Sequence, residues 1–287
     1  VKGFVLLRPG DLQEALTMLE AYQDKGIAVL AGGTDLVPSM RAGGLSPAYL
    51  LDISGLGLEA IEQCGNMLGI GAACTFKRIY GDPLCKRNYP DLCKAARSVG
   101  AVQTRGLATI GGNLCAAVPS LDSAPPLLVR DALFVLTSRG GERHVRAGQF
   151  FTGPRRTAMR PGEMLTKVLL PSAPEGFRAD FIKFGRRNAL SLAIANAAAG
   201  FILDRSRMYR ARIAIGACAP TPVRACRAEE YLEGRRADEI DDDELHARIR
   251  ESIRPISDAR ASAEYRDELA FALVRKLIRS TASEVIA

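Results

Sequence analysis

Apolar residues recur at Leu12, Ala15, Leu16, Leu19 and Tyr22, the spacing of one helical face, and Asp11 behind Pro9-Gly10 is placed to cap that helix. After Lys25-Gly26 the run Ile27-Ala28-Val29-Leu30-Ala31 reads as a buried strand that leads straight into Gly32-Gly33. A second apolar run, Tyr49 to Ile53, stops at Ser54-Gly55. Residues 1–55 therefore predict a small subdomain of strand, helix, strand, loop and strand, with a ligand loop at the carboxyl end of a strand.

Further along, Leu68 to Ala72 predicts a strand, Thr75 to Tyr80 a short helix, and Leu92 to Val99 a longer helix ending at Gly100. The glycine-containing segment Ala101 to Asn113 is irregular yet apolar, which suits a buried loop wrapped around a ligand. Leu127-Leu128-Val129, Ala132 to Thr137, the Gly140-Gly141 turn and Arg143 to Arg146 together read as a strand with a hairpin. Another strand, Leu165 to Leu170, precedes the proline- and glycine-bearing stretch 171–176, where a domain boundary is expected. Beyond it come Phe181 to Phe184, the alanine-rich Ser191 to Leu203, Ala211 to Ala217, and helical patterns around Ala225 to Leu232, Leu245 to Ile253 and Ala263 to Ser280. Strands and helices out of strict alternation indicate an α+β chain, divided as 1–175 (subdomains about 1–55 and 56–175) and 176–287.

Composition narrows the class. The 287 residues, 47% hydrophobic and 25% charged, describe a globular chain able to bury a core. Apolar stretches such as Leu192 to Leu203 are too short to span a bilayer and contain Asn196, and Val1 to Leu7 followed by Arg8-Pro9-Gly10 lacks the shape of a secretion signal. The expectation is a cytoplasmic protein with no membrane partner. Seven scattered cysteines without a C-x-x-C pair, and only two histidines, argue against a zinc site or an iron–sulfur cluster held by this chain alone. The charge of +7 brings no zinc finger or aromatic stacking platform with it, so no nucleic-acid partner is expected, and a solvated face or a surface for an acidic partner subunit fits better.

Two strings carry the chemistry, Ala31-Gly32-Gly33-Thr34-Asp35 and Thr109-Ile110-Gly111-Gly112-Asn113. A Gly-Gly pair turns through conformations closed to other residues and leaves backbone N–H groups open to an anion such as a pyrophosphate. Thr34, Asp35 and Asn113 add hydroxyl, carboxylate and amide groups for the sugar or ring of a nucleotide. A double glycine alone is weak, since Gly43-Gly44 and Gly140-Gly141 read as turns. Gly55-Leu56-Gly57-Leu58-Glu59-Ala60 matches a Rossmann fingerprint, but Gly65-Asn66 breaks the required helix and the acid expected further on is missing. No Walker lysine follows any glycine loop.

These strings, with Gln103 to Leu114, Phe150-Phe151-Thr152-Gly153-Pro154, Ala219 to Arg224 and Arg260 to Arg266, resemble the FAD-binding medium subunit of molybdenum hydroxylases over essentially the whole chain. The likeness is greatest to the separate flavin subunit of bacterial xanthine dehydrogenases, with nicotinate and carbon monoxide dehydrogenase flavin subunits as relatives. The resemblance implies a two-subdomain, PCMH-type FAD-binding domain followed by a smaller α+β domain that closes over the flavin.

It also assigns cofactor-binding residues. Ala28, Val29, Leu30, Ala31, Gly32, Gly33, Thr34 and Asp35 would form one wall, and Thr109, Ile110, Gly111, Gly112, Asn113 and Leu114 the other, through backbone N–H groups. Ala101, with Val99 and Gly100, aligns with the segment flanking the ring. Asp122 resembles an acid that accepts hydrogen bonds from the cofactor's hydroxyls, Leu165 a leucine whose backbone faces the ring, and Lys183 a lysine beside the isoalloxazine. Without the resemblance Asp122 would equally be a helix cap ahead of Pro125, Leu165 strand core and Lys183 an exposed strand lysine. Arg105-Gly106 departs from the Arg-Asn frequent in the family, and the cysteine-rich insertion of one branch is absent.

The implied role is electron transfer. FAD would take electrons from [2Fe–2S] clusters on a partner subunit, in a complex with a molybdopterin-containing large subunit, and pass them to an acceptor, NAD+. No catalytic acid, base, nucleophile or metal ligand is expected in this chain. The alternative is a self-sufficient FAD-dependent oxidoreductase of a related fold, for which His144 and His246 offer few acid–base groups.

Overall fold

The computed structural model describes residues 3–187 and 190–283, and places them in the α+β architecture expected, with three main sheets. The first lobe runs β1 (Val5–Leu7), α1 (Leu12–Ala21), β2 (Ile27–Leu30), α2 (Leu36–Arg41) and β3 (Tyr49–Asp52). Its strands form a parallel sheet of order β1-β3-β2. The Asp11 side chain accepts from the Glu14 N–H and caps α1, whose Ala15, Leu16 and Leu19 pack with Leu51, Ile53 and Met164.

The second lobe starts with the hairpin β4 (Ile61–Cys64) and β5 (Met67–Gly71), so the Rossmann-like string at 55–60 leads into a strand. Next come α3 (Phe76–Gly81), α4 (Pro83–Asn88), α5 (Pro90–Ser98), α6 (Val102–Leu107), α7 (Ile110–Ala116) and α8 (Ala124–Val129). Then follow β6 (Leu133–Ser138), β7 (Gly141–Arg146), α9 (Ala147–Phe150), the small hairpin β8 (Phe151–Gly153) and β9 (Arg156–Thr157), and β10 (Met164–Pro171). The sheet is antiparallel, of order β4-β5-β10-β6-β7. Two expectations are corrected. The segment 101–113 is two short helices rather than an irregular loop, because Thr109 accepts from the Gly112 N–H and caps the second. Leu127 to Val129 is helix rather than strand, since Pro125 and Pro126 occupy the first turn, where a missing N–H costs nothing.

The C-terminal part holds β11 (Phe177–Gly185), β12 (Ala193–Asp204), β13 (Arg207–Gly216) and β14 (Val223–Arg224) in an antiparallel sheet, then α10 (Cys226–Leu232), α11 (Asp242–Arg250) and α12 (Ala263–Ser283). The alanine-rich run is a strand despite alanine's poor strand propensity, because both of its faces are covered. Ala195, Ala197, Ala199 and Phe201 pack with Val274, Leu277 and Ile278 of α12, while Ala198 joins the core of the second lobe. Among the described residues, no helix is long and apolar enough to cross a membrane.

Candidate functional site

Where the two lobes and the C-terminal sheet meet, a cleft of ≈ 560 Å³ opens, a volume typical of small-molecule sites. One end is built by the turn between β2 and α2. Gly33 there has φ +67, and the N–H groups of Gly32 to Leu36 have no partner among the described residues. Neighbouring N–H groups left open at a glycine turn form a concavity for an anion. Gly32 is needed for a different reason: a Cβ on it would lie 1.8 Å from the Leu107 carbonyl oxygen, so the lobes can meet only over a glycine. At the outer edge, Arg155 Nη1 lies 3.3 Å from Asp35 Oδ2.

The second glycine string works differently from the first, which corrects the expectation of a matching N–H cradle. The N–H of Ile110 donates to the Cys74 carbonyl at 3.0 Å and that of Gly111 to the Ala72 carbonyl at 2.8 Å. Gly112 donates to Thr109 Oγ1 at 3.1 Å and Asn113 to the Thr109 carbonyl at 3.0 Å. The first two bonds fasten α7 to the loop after β5, and the last two close its own first turn. A Cβ on Gly111 would sit 2.6 Å from the Ala72 Cβ, so this glycine permits that close packing, while the exposed Gly112 keeps the cleft wall bare. Asn113 lines the cleft, its Oδ1 accepting from Ser123 Oγ at 2.7 Å.

The other end is polar and buried. Lys183 Nζ donates to Asp122 Oδ2 at 2.5 Å and to the Ser98 carbonyl at 3.0 Å. Asn196 Nδ2 donates to Asp122 Oδ1 at 2.9 Å and to the Leu121 carbonyl at 3.1 Å. Lys183 and Asn196 are register partners on β11 and β12, and Asn196 is in turn opposite Gly216 on β13. A Cβ on Gly216 would come within 2.2 Å of Asn196 Oδ1, so the glycine makes room for the amide. Burial pushes the Asp122 carboxyl above its ordinary value, against the opposing pull of Lys183 and the hydrogen bonds. Asp122 makes no helix cap and Lys183 is largely buried, so the two bland alternatives for these residues fail.

Of the residues expected at the site, Val29, Ala31, Gly32, Gly33, Thr34, Asp35, Thr109, Gly111, Gly112, Asn113, Asp122, Leu165 and Lys183 line the cleft. Ala28 and Leu30 do not, since they alternate with Val29 on β2 and point to its other side. Ile110 and Leu114, four apart on α7, belong to the hydrophobic core instead. Ala101 stands just past Val99 and Gly100, which do line the cleft. Among the lining residues that sequence reasoning missed are Leu45, Thr104, Met159, Leu190 and Leu192, for which no motif gave a signal; it also missed Asn196 behind Asp122. Asn196 did carry one, as the single amide in an apolar run. Neither histidine lines the cleft, and His246 is bonded to Asp267 at 3.1 Å on the far side of the C-terminal sheet's core.

An elongated cleft with open amides at one end and a buried carboxylate–lysine pair at the other fits a dinucleotide, and fold and cleft together define an FAD-binding oxidoreductase chain. Residues 2–173 match the family described as "FAD binding domain in molybdopterin dehydrogenase", and residues 180–281 match "CO dehydrogenase flavoprotein C-terminal domain". The chain belongs to the FAD-binding medium subunits of the molybdenum hydroxylases. It is 31% identical to the xanthine dehydrogenase FAD-binding subunit of Escherichia coli O157:H7, over 94% of this chain and 93% of that one. The glyceraldehyde dehydrogenase medium chain of Sulfolobus acidocaldarius is also 31% identical, over 97% and 98% of the two chains. In structure it is similar to a chain of reconstituted CO dehydrogenase from Oligotropha carboxidovorans, with a TM-score of 0.94, 28% identity and 98% of each chain covered.

Proposed function

We infer that this chain is the electron-transfer subunit of a multi-subunit molybdenum hydroxylase, working beside a [2Fe–2S] subunit and a molybdopterin-containing large subunit, with NAD+ as the final acceptor. FAD, when bound, supplies the redox chemistry by accepting electrons from the iron–sulfur centre and giving them up as hydride. The observation that carries the reading is the division of labour along the cleft. The open amides after β2 receive the pyrophosphate, and the Asp122–Lys183 pair places a cation beside the ring, where it favours added negative charge.

In this reading residues 1–175 hold the cofactor and residues 176–287 close over it through Lys183. Val29, Ala31 to Asp35, Thr109, Gly111 to Asn113, Asp122, Leu165 and Lys183 contact it, while Ala28, Leu30, Ala101, Ile110 and Leu114 support the walls. The substrate binds on another chain, since the relatives' names span xanthine, glyceraldehyde and CO while their flavin chains share this fold.

Two measurements test it. The purified chain should show flavin absorbance near roughly 370 and 450 nm, alone or after addition of FAD. Reduction of the complex should bleach those bands, and stopped-flow mixing of the reduced complex with NAD+ should restore them. Protein that takes up no flavin would defeat the whole reading, whereas a flavin that NAD+ fails to reoxidise would remove only the acceptor.

A further inference from the structure

A second pocket lies away from the flavin cleft, where the segment after β10 crosses the C-terminal sheet. It has a volume of ≈ 160 Å³ and is walled by Arg130, Asp131, residues 171–174, Phe177, Arg210 and Arg212. None of these residues lines the cleft.

Three arginines line it. Arg130 is buried between the rings of Tyr89 and Phe177, 5.3 Å from each centroid. Its Nε and Nη2 are bonded to Asp91 at 3.1 and 2.8 Å, but Nη1 is buried with no partner among the described residues. Closed off from solvent, Nη1 adds its positive charge from behind the pocket wall. Arg212 lies 3.2 Å from Asp131, a carboxylate it shares with Arg224 at 3.0 Å.

Arg210 supplies an independent observation. The register of β12 and β13 shifts so that Arg210 and Ala211 stand opposite the single residue Phe201. Arg210 takes φ +52, a left-handed backbone that such a bulge position ordinarily gives to glycine. The carboxylate of Glu233 pins the bulge by accepting from the N–H groups of Arg210 and Ala211 at 3.2 and 3.4 Å. The Arg210 guanidinium itself is exposed and has no carboxylate partner among the described residues. A strained arginine where glycine would be relaxed points to a use for its side chain.

We propose that this pocket binds a phosphate-type oxyanion, either the free ion or the phosphate of a small monoester, held by Arg210 and Arg212 with the buried charge of Arg130 behind them. Guanidinium forks match phosphate oxygens, and the apolar walls of Pro171, Pro174 and Phe177 exclude water and so strengthen each contact. The volume is small for a drug-sized ligand and suits a single phosphoryl group. Residues 171–174 join β10, which carries Leu165, to β11, which carries Lys183. The bound anion would therefore brace the joint behind the cleft without entering it.

Arg210→Gly gives a clean test, because it removes the cation and relaxes the left-handed backbone, so the chain still folds. Calorimetric titration of the full chain with inorganic phosphate and with methyl phosphate, in chloride buffer, should show binding to the unaltered protein. In the variant that binding weakens by about tenfold or more, the scale of one charge-assisted hydrogen bond. Flavin content should not change, and the thermal midpoint in phosphate-free buffer should stay level or rise. Tighter binding of the inorganic ion identifies free phosphate as the ligand, and tighter binding of methyl phosphate identifies a monoester. Absence of heat with both anions, or equal affinity of the two proteins, overturns the proposal.

Discussion

Lys183 and Asn196 lie directly opposite each other in the register of β11 and β12, and Asp122 accepts a hydrogen bond from each. The carboxylate belongs to the second lobe and the two donors to the C-terminal sheet, so one buried cluster both fastens that sheet down and fixes the polar end of the cleft. Asn196→Ala removes a donor from a buried carboxylate, and should lower stability by about 1.5–3 kcal/mol. Urea unfolding should show the loss, with faster release of flavin from the variant. Unchanged values for both would mean that the amide holds nothing in place.

Two glycines of the first lobe are expected to differ in what they tolerate. Gly32→Ala places a Cβ on the Leu107 carbonyl and forces the lobes apart, so the flavin-to-protein absorbance ratio should collapse. Gly43→Ala is the control. It has a positive φ of +76, which Gly32 lacks, but a Cβ there meets nothing within 4 Å, so the change should cost about 1 kcal/mol of backbone strain and keep its flavin.

Acid should act on the chain partly through Glu163. Its carboxylate accepts from Arg143 at 2.5 and 2.8 Å and from the Arg160 N–H at 2.7 Å, and these bonds hold it below the usual carboxylate range. A depressed value in the folded state means that the stabilisation is present above the unfolded-state value and is lost as pH falls through the folded one. Arg143→Met should therefore be most destabilising at neutral pH, and the gap to the unaltered protein should narrow below about pH 4. Urea melts at pH 7 and pH 3 give the comparison; a gap independent of pH would assign the effect to packing.

Thiol labelling should map the cleft. Cys74 and Cys218 are buried and pushed up to about 12, and Cys85 is raised further, so none of the three should react in the native protein. Cys226 and Cys115 are exposed, but Cys115 faces the cleft, whose walls push its thiol up to about 12, so it should react more slowly than Cys226. Bound FAD should protect Cys115 and leave Cys226 unaffected, as peptide mapping after labelling would show. Equal labelling of Cys115 with and without flavin would place the cofactor elsewhere.

Local pattern revealed most of the elements because it reports local physics. The period of Ala15, Leu16 and Leu19, the Asp11 cap and the Gly65-Asn66 hairpin each need only a few neighbouring residues. It misled where the deciding feature was context. Leu127-Leu128-Val129 is too short a run to separate strand from helix, and the proline pair ahead of it was the better guide. The run 101–113 looked irregular because its glycines mask two short helices.

By itself the sequence determined the α+β class, the two glycine strings and the family, and pointed to thirteen residues that line the cleft, since these rest on composition and on motifs contiguous in the chain. Tertiary structure alone decided what each glycine is for. Gly33 turns the backbone, Gly32 admits Leu107, Gly111 admits Ala72 and Gly216 admits the Asn196 amide, and all but the first depend on atoms brought in from distant segments. The same holds for the Asp122, Lys183 and Asn196 cluster. Its members come from three separate segments of the chain, and only the register of two strands and the packing of α8 against them bring the charges within hydrogen-bonding distance.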